Sequence, residues 1–148
     1  VIISYRQDDD TVETVSTDDL SAVEAAAIES CTGMEWAQVD EALRTQSPTA
    51  MRAVLWAFRK RQQPTLRFSE FDVPQWRRRL KARLEYEEIL DVVEKLRRDG
   101  VSDDVFDTYL GHVRTLAHDQ ADVEKAVTET VPKEAAFPPA DVPEESAA

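Results

Sequence analysis

Glycine, cysteine and histidine are scarce in this chain, and each shortage removes a class of function. Three glycines in 148 residues leave no glycine-rich loop to cradle a phosphate. A single cysteine, Cys31, allows no internal disulfide and fits a reducing cytoplasm. The two histidines, His112 and His118, do not share a helix face and make a poor metal pair. No C-x-x-C, H-E-x-x-H or G-x-S-x-G motif occurs. Carboxylates are plentiful, but nothing places two of them in an apolar pocket, where acid–base work would need them. These absences exclude a catalytic site, a metal site and a cofactor, so the expectation is a protein that is not an enzyme. The longest uninterrupted apolar run, Ala53–Phe58, is far too short to span a bilayer. No basic-then-apolar signal segment opens the chain.

What the chain has in excess is negative charge, unevenly distributed. The net charge of −12 favours solubility and argues against general binding to nucleic acid or anionic membrane. From Arg52 to Arg83, however, ten basic residues face only Glu70 and Asp72, so that stretch carries +8 and the rest −20. A chain so divided presents opposite patches to itself or to a partner.

The apolar pattern predicts a mainly α protein with a small N-terminal β-hairpin. β-branched runs at Val1–Tyr5 and Thr11–Val15 flank a turn at Asp8–Asp10. The Asp cluster lacks the alternating ligands and glycine of a calcium loop, and reads as solvated turn acids. Ser16-Thr17-Asp18-Asp19 reads as a capped helix start, with Leu20, Val23, Ala27 and Cys31 on one face and Gly33 at the end. A short helix follows over Glu35–Arg44 with Trp36, Val39 and Leu43 on one side. Ser47-Pro48 restarts the chain as cap and first helical position. In the next helix Met51, Val54, Leu55 and Phe58 make a core stripe, while Trp56, Ala53 and Lys60 fall on the far side. A helix apolar on two faces is either central in its fold or shares the second face with a partner.

Beyond Gln62-Gln63-Pro64 the pattern predicts a short extended piece and then one long basic helical segment from Val73-Pro74 to Asp99, with a change of packing partner, or a break, near Arg83–Glu87. Ser102-Asp103-Asp104 caps a last helix carrying Val105, Phe106, Tyr109, Leu110, Val113, Leu116 and Ala117, read as the second arm of a C-terminal αα-hairpin. The organisation expected is residues 1–73 as hairpin plus helices, 74–130 as basic helix and αα-hairpin, and 131–148 as a disordered Pro/Ala/Glu-rich tail.

The order of motifs in the first half resembles a known family. Glu29-Ser30-Cys31-Thr32-Gly33-Met34-Glu35-Trp36, then Ala53-Val54-Leu55-Trp56-Ala57-Phe58-Arg59-Lys60-Arg61, then Phe68-Ser69-Glu70-Phe71 resembles the tail assembly chaperones of long-tailed, siphovirus-type bacteriophages. The likeness spans roughly Val1 to Val73; the Arg-rich segment and terminal helices depart from it. It implies a cytoplasmic protein of the infected host that binds the tape-measure protein and keeps it soluble while tail-tube subunits polymerise around it. The tail-tube protein is then a second expected partner and a homo-oligomer an expected form, with no membrane involved. On this reading the client-binding residues are Trp36, Ala53, Trp56, Lys60 and Phe71.

Two other readings stay open. Trp76 with Arg77, Arg78, Arg79, Lys81 and Arg83 is the one stretch suited to phosphates or an acidic partner, which would make the chain a nucleic-acid-binding or regulatory module. Its bland counterpart is a basic face answering the acidic segments on either side. The helix opening Asp103-Asp104 adds Asp107 and would be repelled by phosphate, so helix-turn-helix DNA binding is disfavoured. The third reading is a structural protein retained in the phage tail.

Overall fold

A computed structural model describes residues 1–132; the expected disordered tail falls, apart from its first two residues, outside them. The chain runs β1 (Ile2–Arg6), β2 (Val12–Ser16), α1 (Ala22–Thr32), α2 (Trp36–Arg44), α3 (Pro48–Lys60), α4 (Trp76–Arg79), β3 (Leu80–Arg83), α5 (Tyr86–Arg98), α6 (Asp103–Leu116) and α7 (Gln120–Glu129). The protein is mostly helical, with one small antiparallel sheet ordered β2-β1-β3.

Local chemistry sets most of the boundaries. Ser21 and Glu24 close a capping box at the start of α1, and Gly33, at φ 70°, ends it in the left-handed conformation that a side chain disfavours. Ser47 caps α3 with Pro48 in its first turn, and Ser102 caps α6. The helix start expected at Ser16 is displaced. There Ser16 accepts from the Asp18 N–H and starts only a single 3-10 turn, Thr17–Asp19, because Ser21 offers the complete capping box five residues later.

The long basic helix is not formed. After one turn at Trp76–Arg79 the chain becomes strand β3, pairing Tyr5 with Leu80, Ser4 with Lys81, Ile3 with Ala82 and Ile2 with Arg83. Leu80-Lys81-Ala82-Arg83 alternates apolar and basic, and the alternation places Leu80 and Ala82 in the core and Lys81 in solvent. A two-stranded ribbon alone is marginal, and this third strand completes the sheet.

The exposed edge of β3 is closed twice. Gln46 donates from Nε2 to the Ala82 carbonyl at 2.9 Å and accepts from the Ala82 N–H at 3.0 Å, so its carboxamide stands in for a neighbouring strand. Gln46 itself is held at φ 62°, a conformation rarely adopted by non-glycine residues. Two residues on, Leu84 donates to Leu116 O and accepts from His118 N at 2.8 and 2.9 Å. Replacing Gln46 by alanine leaves both Ala82 groups unpaired. We expect a loss of about 1–3 kcal/mol in urea denaturation, with faster hydrogen exchange of the Ala82 amide.

Buried residues form two clusters. The first joins Ile3, Ile28, Val39, Leu43, Met51, Val54, Leu55, Leu80 and Ala82 around α3, reaching past the boundary expected at residue 73. The second holds Leu84, Ile89, Val93, Leu110, Val113, Ala117, Val123 and Ala126. In it α5 packs more extensively on α7 than on α6, so the expected two-helix hairpin is part of a three-helix arrangement. Val105 and Tyr109, read as core, are 41% and 51% exposed, because α6 turns Phe106, Leu110, Val113 and Leu116 inward instead. No helix of the described residues is long and apolar enough to cross a membrane.

Candidate functional site

Helix α3 is central, and both of its apolar faces are used inside the fold. Ala53 is fully buried and Trp56 is 6% exposed. The indole Nε1–H of Trp56 donates to Leu66 O at 3.0 Å, and the ring meets Phe68 edge-on at 5.6 Å between centroids. Arg52 fastens the same segment: its Nη1 donates to Phe68 O and Phe71 O at 2.8 and 2.7 Å, with the guanidinium 3.8 Å above the Phe68 ring. Residues 66–71 therefore cover the face that the sequence reading offered to a client. Ala53 and Trp56, expected as client contacts, lie in the core. Trp36 and Phe71 are half-buried against the same core. Lys60 is half-buried, its Nζ 5.1 Å from the centre of the Trp56 ring.

The unspent apolar surface lies one helix away. Ala22-Val23-Glu24-Ala25-Ala26-Ala27-Ile28 is apolar almost all round, yet α1 fully buries only Ile28. Val23, expected in the core stripe, is 80% exposed, because α1 docks on α3 through Ile28 instead. Ala22 and Ala26 are exposed beside it. Between α1 and α3 runs a groove of about 240 Å³ lined by Val23, Glu24, Ala27, Trp56, Ala57, Lys60 and Arg61. The remaining accessible edge of Trp56 thus belongs to this groove. The run of small apolar residues around the helix is visible in the sequence; of the expected stripe, Leu20, Ala27 and Cys31 pack against the core and Val23 does not.

One rim of the groove is a fixed ion pair. Arg61 donates from Nε and Nη2 to the two carboxylate oxygens of Glu24 at 2.7 and 2.8 Å, and from Nη2 to Asp19 O at 2.8 Å. The hydrogen bonds from Arg61 hold the Glu24 carboxyl down at about 2, well below its ordinary 4.5. Because the folded value lies below the unfolded one, the pair's contribution is complete above about pH 4.5 and is lost as pH falls through about 2. Melting curves across that range should show Glu24→Gln with a flatter acid limb than the parent chain; equal limbs would remove the pair from the acid response.

The basic segment is split between elements. Arg79 pairs with Asp8, and Arg83 donates from Nη1 to Thr115 O at 2.8 Å. Arg77, Arg78 and Lys81 remain exposed, without an ion pair among the described residues. Gln75, at φ 57°, starts the single turn in which the Arg77 guanidinium lies 5.5 Å from the Trp76 ring centre. Gln75, Trp76, Arg77 and Arg78 line an open depression there. The six residues grouped by sequence therefore do not form one cationic face.

Among the described residues no cluster of His, Cys, Asp and Glu can hold a metal ion. Cys31 donates its thiol to Ile28 O at 3.3 Å, and burial pushes that thiol above its usual range, away from a reactive thiolate. No protein-family model, curated protein or solved structure matches the chain.

Proposed function

We propose that this chain is an assembly chaperone of the phage-tail type, which binds the tape-measure protein through the α1/α3 groove and keeps it soluble while tail-tube subunits assemble. The observation that carries the reading is α1, whose first two turns are apolar almost all round and leave Val23, Ala22 and Ala26 in solvent. An amphipathic client helix can lay its apolar side against such a groove. The ordered motifs of the resemblance support it: Trp36, Val54–Trp56, Phe68 and Phe71 gather around one core, as a shared unit requires. The strong acidity of the chain keeps a complex with an aggregation-prone client dispersed. A shallow groove without a deep pocket suits release, since many weak contacts dissociate readily.

The test is co-expression with a long helical tape-measure protein from the same phage genome. The expected result is a soluble client that co-purifies with this chain and is missing when the chain is omitted. A client equally insoluble with and without it would overturn the proposal. Mass spectrometry of purified particles distinguishes a chaperone, absent from them, from a retained tail component.

A further inference from the structure

The sheet has two edges, and only one is closed. On β3 the outward backbone groups of Ala82 are taken by Gln46, and Leu84 is paired with the 116–118 segment. This fixes the parity of the whole sheet. Ala82 turns its N–H and C=O away from β1, so its partner Ile3 turns its own toward β2, where it faces Val15. On β2 the residues aimed outward are then Val12, Thr14 and Ser16. No described residue hydrogen-bonds the N–H or C=O of Thr14, and both Val12 and Thr14 are exposed. The strand Val-Glu-Thr-Val-Ser contains no proline or lysine and no bulge interrupts its pairing, so its outward backbone groups stay available for a further strand.

Acids stand at both ends of this edge: Asp8–Asp10 in the turn before β2 and Asp18 and Asp19 in the turn after it. They decide what can pair there. Two copies of β2 pairing antiparallel about Thr14 would bring the acidic turn before the strand in each copy up to the acidic turn after it in the other, twice over, and like charges brought together are destabilising. The acids thus act against a second copy and in favour of a strand with basic ends.

We infer that the outer edge of β2 is a docking site for an extended segment of a partner protein, a short alternating run of apolar and hydroxyl residues flanked by Lys or Arg, which adds as a fourth strand. Main-chain hydrogen bonds to Val12, Thr14 and Ser16 hold it, an apolar side chain opposite Val15 sets its register, and the flanking cations meet Asp10 at one end and Asp18 and Asp19 at the other. This inference rests on the sheet alone and stands apart from the α1/α3 groove.

The experiment uses the full chain and the capped, labelled peptide KKVTVTVKK, read by fluorescence polarisation at low salt. Saturable binding is expected, at least about tenfold weaker for EEVTVTVEE and lost when alternate peptide nitrogens on the docking edge are methylated. Thr14→Pro removes an outward N–H that β1 does not use, and should weaken binding at least about tenfold while circular dichroism stays unchanged. The variant Asp9→Asn, Asp10→Asn, Asp18→Asn, Asp19→Asn should shift the chain toward a dimer in light scattering. No binding of the lysine peptide would overturn the inference. So would binding that survives backbone methylation, which marks charge attraction without strand pairing. If Thr14→Pro fails to fold, the methylated peptide still decides. A quadruple variant that stays monomeric would overturn the role given to the acids.

Discussion

Trp56→Ala is expected to destabilise the fold by about 3–5 kcal/mol, the range for removing a buried large aromatic side chain, measured as a lowered midpoint in urea. Three things go together. The indole leaves a cavity between α3 and the 66–71 segment, Leu66 O loses its donor, and Phe68 loses its edge-on neighbour. Trp56→Phe keeps most of the apolar contact and gives up the N–H, so about 1–2 kcal/mol is expected. The pair of variants separates two roles for this residue. If Trp56→Ala were as stable as the parent chain and yet failed to keep a client soluble, Trp56 would be a contact residue and its placement in the core would be wrong. A loss of stability that tracks the size of the side chain marks a residue that acts through the fold.

The second large effect concerns the surface that α1 leaves open. Val23→Lys together with Ala26→Lys puts two cations on an exposed helix face, where substitutions change stability by about 0.5 kcal/mol or less. The same cations would have to be desolvated under a docked client helix. A central apolar contact of this kind is worth about 1.4 kcal/mol or more, a tenfold change in affinity. The expected result is therefore an unchanged urea midpoint with at least about a tenfold loss of client binding in pull-down titrations. An unaffected client would move the binding surface off α1, leaving the exposed Val105 and Tyr109 of α6 as the next apolar face to test.

Sequence periodicity gave α3 two apolar faces, which makes a helix either central or shared with a partner; α3 is central, and the exposed apolar surface lies on α1. For α3 the second stripe was real, but a segment ten or more residues further along folds back over it, held by Arg52 and by the Trp56 indole. For α1 the run of alanines gave no preferred face, so Val23 was placed in the core by spacing when Ile28 fills that role. The basic segment failed for a related reason. Trp76 to Arg83 has ordinary helix-forming composition, and its fate depends on β1 offering a pairing edge more than seventy residues earlier in the chain. Once β3 forms, Arg79 and Arg83 are drawn to separate partners, and Arg77, Arg78 and Lys81 are what remains exposed of the basic stretch.

What the sequence determined by itself is whatever is decided within a few residues: the mainly helical class, the hairpin turn at Asp8–Asp10, the stop at Gly33, the starts at Ser47-Pro48 and Ser102. Those are hydrogen bonds from a side chain to nearby backbone, or the φ tolerance of one residue, and they need no knowledge of the rest of the chain. Only the tertiary structure decided which apolar faces stay uncovered, that Leu80–Arg83 is a strand, and that one sheet edge is plugged by Gln46 while the other is left open. Each of these is a competition between distant segments for the same surface or the same backbone groups, and burial and pairing energies settle it after local preference has been overridden.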